Sequence, residues 1–106
     1  MSALVWCPCP DEDTAKGLAR TLVEEGLAAC GNVIGPVHSV FSWQGEIGEA
    51  NEFGLLLKTD ARLLDRVVAR LERAHPYSEP AVLGWRCEAS GDATRAWLGM
   101  LTGDGA

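Results

Sequence analysis

The first apolar run, residues 3–7, is short and rich in the β-prone Val5 and Trp6. Pro8 and Pro10 close it, which predicts a strand. Asp11, Glu12 and Asp13 come next and supply a helix N-cap with an acidic first turn. Behind them Ala15, Leu18, Ala19, Leu22 and Val23 recur at the i, i+3, i+4, i+7, i+8 spacing of an amphipathic helix, which Gly26 ends. Residues 27–34 and 37–43 read as extended pieces separated by Gly35-Pro36, and Gln44-Gly45-Glu46 reads as a turn. Residues 52–59 form a strand that is apolar on both faces through Leu55, Leu56 and Leu57. Thr59 or Asp60 caps a second helix carrying Leu64, Val67, Val68 and Leu71, and this helix stops before His75-Pro76. A fourth strand over 81–87, a turn at Ser90-Gly91-Asp92, a short helix over 94–101 and a frayed tail from Thr102 to Ala106 complete the pattern.

The order β-α-β-β-α-β plus a short helix predicts one α+β domain over 1–106. Its expected form is ferredoxin-like, an antiparallel sheet with two helices on one face. Two helices leave the other face bare, although the strand through Leu56 is apolar on that side too. Large apolar patches are rare on monomers, so a second copy of the chain is the expected cover. The alternative is that the terminal helix and the segment 37–43 fold across it.

Composition narrows the partners. Nine Lys and Arg against fifteen Asp and Glu leave a net charge of −6 over 106 residues, and the positive residues are scattered singly. Such a surface repels phosphate backbones, so no nucleic-acid partner is expected. No stretch approaches the ~18 apolar residues of a membrane span, and the first residues lack a signal-peptide pattern. A cytoplasmic protein without membrane contact is the expectation, with Cys7, Cys9, Cys30 and Cys87 as free thiols.

Two residues carry the clearest chemistry. Cys7 begins a Cys-Pro-Cys step; an extended chain sends Cys7 and Cys9 to the same side, about 6.6 Å apart along the strand. Thiolates select soft ions such as Cu(I) or Zn(II), and an imidazole could complete the set. The competing reading of Cys7 is a small buried hydrophobe at the end of a core strand. His75, in the turn after the second helix, is either a ligand or a cap on the helix dipole. Trp43, Tyr77, Trp85 and Trp97 read as interface packing or as stacking residues of a pocket. Lys58 reads as a salt-bridge partner of Glu46, Glu49 or Glu52, or as a draw for an anionic ligand.

Five segments stand in register with a known family: Cys7…Pro10-Asp11-Glu12, Leu27-Ala28-Ala29-Cys30-Gly31-Asn32, Ser39-Val40-Phe41-Ser42-Trp43-Gln44-Gly45, Leu57-Lys58-Thr59 and His75-Pro76-Tyr77. Together they resemble the CutA family of divalent-cation tolerance proteins, from about Leu4 to Leu101. The resemblance implies a ferredoxin-like homotrimer, a cytosolic location and binding of copper or another divalent metal ion, with Cys7 and His75 as the metal ligands. This sequence departs from the family pattern with Phe41 in place of Tyr, Ser78 in place of Glu, with the acid one residue on at Glu79, and Ala74 in place of a second His. Trp97-Leu98-Gly99-Met100 stands where the family has Tyr-Leu-x-Trp. Cys9 is not generally shared, and its role stays open. Two alternatives are carried forward. One is a trimeric small-molecule sensor with an inter-subunit pocket at Trp43, Lys58, Tyr77 and Glu79. The other is an enzyme with Cys7 or Cys30 as nucleophile and His75 as base.

Overall fold

The computed structural model describes residues 1–103; the end of the expected frayed tail lies outside them. In chain order the elements are β1 (Ser2–Cys9), α1 (Glu12–Glu24), β2 (Cys30–Trp43), β3 (Glu46–Asp60), a 3-10 turn (Ala61–Leu63), α2 (Leu64–Ala74), β4 (Leu83–Arg86), α3 (Asp92–Gly99) and a second 3-10 turn (Met100–Thr102). The four strands form one antiparallel sheet in the order β2-β3-β1-β4. This is the α+β, ferredoxin-like arrangement expected from the hydrophobic pattern. No helix among the described residues is long and apolar enough to cross a membrane.

Strand alternation sorts the side chains. Ala3, Val5, Cys7 and Cys9 of β1, with Leu55 and Leu57 of β3, face α1 and α2 and are fully buried. Leu18 and Leu22 of α1 and Val67 and Leu71 of α2 close this core. Leu4, Trp6 and Pro8 leave the other face, which α3 partly covers by packing across β3 and β1. Its Leu98 is buried yet stands apart from the helix-side core. The terminal helix thus roofs part of the second face, whereas Phe41, Trp43, Leu83 and Trp85, 45–66% exposed, remain open. Register places Leu83 and Trp85 opposite Trp6 and Leu4, on that same outer face.

Several boundaries move, each for a local reason. β1 runs through Pro8 to Cys9; beyond Trp6 it has no β4 partner, and proline is tolerated where one edge is free. Gly35-Pro36 is a register shift within one continuous β2. β3 begins six residues early because Glu46–Asn51 pairs with β2 in a long hairpin. The connection uses Gln44 and Gly45 at φ 50° and 82°, the two-residue turn with both central φ positive that suits strand twist. Asp11 caps α1 by accepting from the Thr14 N–H at 2.7 Å, which holds its carboxyl below the usual range. Asp60 does the same for the Ala61–Leu63 turn, accepting from the Arg62 N–H at 2.9 Å.

The loop between α1 and β2 is pinned from the core. The fully buried Thr59 hydroxyl donates to the Leu27 carbonyl at 2.7 Å. Thr59→Val keeps the shape and strips that carbonyl of its donor. The expected loss is about 1–3 kcal/mol of unfolding free energy in a urea melt, and an unchanged midpoint would show that the bond contributes nothing.

Candidate metal centre and adjoining groove

α2 packs on β1, and this crossing brings together residues almost seventy positions apart. Cys7 and Cys9 point into the core from β1, while His75 is the residue at which α2 ends. One sulfur from each cysteine and one ring nitrogen of His75 all lie within 4.8 Å of one another, and all three residues are buried. This is the only group of three or more His, Cys, Asp or Glu side chains with metal-binding spacing among the described residues. Cys9, left open on sequence, is part of it. The parity of an extended Cys-Pro-Cys step was the available signal.

The two thiols share one local balance. The Cys7 thiol is raised, first by its hydrogen bond to Cys9 and then by burial, and the same bond lowers Cys9. Whichever proton leaves first, the remaining thiol stabilises the thiolate through that bond and is itself harder to deprotonate. When both are protonated, Cys9 Sγ donates to the Cys7 carbonyl at 3.5 Å and Cys7 Sγ faces the Pro8 carbonyl at 4.0 Å.

His75 is held at both ring nitrogens. The Tyr77 N–H can only donate, so Nδ1, 3.1 Å away, accepts; the Pro8 carbonyl can only accept, so Nε2, 2.9 Å away, carries the ring proton. Neither nitrogen has a lone pair left to take a thiol proton in this arrangement. Cys30 is elsewhere, at the start of β2 with Asn32 Oδ1 3.7 Å from its sulfur. Cys87 follows β4, and its N–H donates to the Ser2 carbonyl.

Pro8 also marks the way to the other face. It lines an open groove of about 780 Å³ together with Phe41, Trp43, Glu52, Tyr77 and Glu79. Three of the four residues expected to share a pocket, Trp43, Tyr77 and Glu79, meet here. Lys58 does not line it; it stands toward the opposite end of β3, paired in register with Leu4 and Cys30. Glu49, one of its expected partners, instead binds His38 Nε2 at 2.8 Å. Glu52, weighed in the sequence only as a partner for Lys58, accepts from the Tyr77 hydroxyl at 3.0 Å. Burial and then this carboxylate push the Tyr77 phenol up to about 12. The Tyr77 ring lies 4.7 Å from the His75 ring, tilted by 43°.

The comparisons with known proteins agree with one another. A family model described as CutA1 divalent ion tolerance protein matches residues 3–100. The divalent-cation tolerance protein CutA of Thermus thermophilus is 34% identical over 103 residues, which cover 97% of this chain and 100% of that protein. Protein CutA of Mus musculus is 33% identical over 94 residues, 89% of this chain but 53% of that longer protein. The structure of the periplasmic divalent cation tolerance protein CutA from Archaeoglobus fulgidus superposes with a TM-score of 0.89 at 28% identity, covering 95% of this chain and 98% of that one.

Proposed function

The chain belongs to the CutA1 divalent ion tolerance protein family, and from that premise we propose that it captures copper or a related metal ion at Cys7, Cys9 and His75, as a cytoplasmic homotrimer. The observation that carries the reading is the convergence of three soft or borderline donors in a buried spot. Two sulfurs and an imidazole suit Cu(I) or Zn(II), whereas Mg²⁺ and Ca²⁺ seek oxygen. The work of the site is coordination: the thiols give up protons as the ion enters. A thiol nucleophile served by His75 has less support, because both ring nitrogens are engaged with backbone groups.

The trimer draws support from the outer face, where Phe41, Trp43, Leu83 and Trp85 stay open beside α3. Native mass measurement is expected to return three times the 11.3 kDa chain mass, and metal analysis of the purified protein to find a thiophilic ion. Trp43→Glu places a charge on that face and is expected to shift the assembly toward monomer. A wild-type monomer that stays folded at micromolar concentration would remove the oligomer from the proposal.

A second reading, a small-molecule sensor, is favoured by the groove that gathers Trp43, Tyr77 and Glu79. Equilibrium dialysis with nucleotides and organic anions separates the two: saturable uptake of one of these, with no metal bound, would promote it.

A further inference from the structure

The metal centre and the groove lie on opposite faces of the sheet, and two short links cross between them. In one, Pro8 sits between the two cysteines, lines the groove, and offers its carbonyl to His75 Nε2. In the other, Tyr77 holds His75 Nδ1 through its backbone N–H, while its ring and hydroxyl stand in the groove wall against Glu52.

Histidine chemistry ties the links together. A neutral imidazole has one N–H and one lone pair. If Nδ1 takes a metal ion, it gives up the Tyr77 N–H directly. If Nε2 takes the ion, the ring proton must move to Nδ1, where it faces the Tyr77 N–H donor to donor. The Pro8 contact is lost on that second route as well. Each route therefore deprives the Tyr77 amide of its acceptor. Only an imidazolate would escape this, and no Lys or Arg among the described residues lines the groove to support one.

We infer that loading an ion at Cys7, Cys9 and His75 breaks the Tyr77–His75 hydrogen bond and so resets the Tyr77 wall of the groove on the other face, making ion occupancy and groove shape two ends of one coupled device. The inference rests on the metal reading above. Coupling of this kind is reciprocal, so whatever holds Tyr77 in its present place weakens ion binding by the same factor.

Tyr77 is the only tyrosine in the chain, so tyrosine labelled at the amide nitrogen and ring carbons gives one set of signals and no assignment problem. The intact assembly is titrated with Zn(II), which is diamagnetic, and bound ion is measured on the same samples by equilibrium dialysis. The expected result is an upfield move of the Tyr77 amide proton in proportion to bound ion. Faster amide hydrogen exchange and a shift of the ring carbons should accompany it. Bound Zn(II) with an amide that keeps its protection overturns this inference and leaves the metal reading standing. No bound ion in dialysis overturns the metal reading, and this inference with it.

Discussion

Gly54→Ala is expected to lower the melting temperature by about 5–20 °C. Gly54 lies in the central strand β3 opposite Pro8, and the Trp6 indole crosses directly over it from the neighbouring pair. A Cβ built on Gly54 would fall inside the space of that ring, with Cζ2 at 2.7 Å and Cη2 and Cζ3 closer still. An indole has no flexible end to give way; the whole ring must leave its seat. Overpacking of this kind costs about 1–3 kcal/mol, occasionally more, and for a domain of this size each kcal/mol moves the midpoint by about 4–8 °C. The cause is specific, so a double-mutant cycle checks it. Trp6→Leu should cost stability alone, yet Gly54→Ala should cost much less in that background. Additive losses would mean that the indole does not lie over Gly54. All four melts belong at one protein concentration, since an oligomer's midpoint depends on it.

The same β1–β3 contact shows what the hydrophobic pattern could and could not reveal. The alternation in β1 correctly sends Cys7 and Cys9 to one side, because a strand's parity survives even a proline when one edge is free. The α1 limits are equally readable, since Asp11 and the apolar stripe are local signals. The stripe still overreaches by one residue: Val23 completes the spacing yet is 42% exposed, on an open groove between α1 and β2 that Gly31 and Val33 also line. Residues 46–51 carry no strand signature; they are extended only because β2 lies beside them, and that pairing is non-local. The site divides the same way. Residue chemistry singled out Cys7 and His75, but their meeting depends on where α2 crosses β1. The Tyr77–Glu52 contact and the absence of Lys58 from the groove depend on which end of a fifteen-residue strand each residue occupies, which no spacing rule encodes.

Removing either sulfur from the proposed centre should nearly abolish ion binding, and removing either of the other two thiols should not affect it. Alanine is the informative replacement for Cys7 and Cys9. Both side chains are fully buried, and a serine hydroxyl there would add a desolvation cost of about 1–3 kcal/mol unrelated to the ion. In a competition titration, Cys7→Ala and Cys9→Ala are each expected to lose more than the roughly 10–100-fold that removal of a supporting partner costs a metal site. Cys30→Ala and Cys87→Ala should bind as the parent does, since neither belongs to the three-donor cluster. The pH profile supplies an independent sign. The Cys7 thiol is held protonated by its bond to Cys9 and by burial, so at least its proton must leave when an ion enters. Affinity should therefore rise with pH, by about tenfold per unit for one released proton and more if Cys9 also starts protonated. A flat profile between pH 6 and 8, or full affinity in Cys9→Ala, would mean that the sulfurs are core residues and nothing more. A steep profile lost in both alanine variants would instead fix the ion between β1 and the end of α2, where the sequence alone could name the donors but not bring them together.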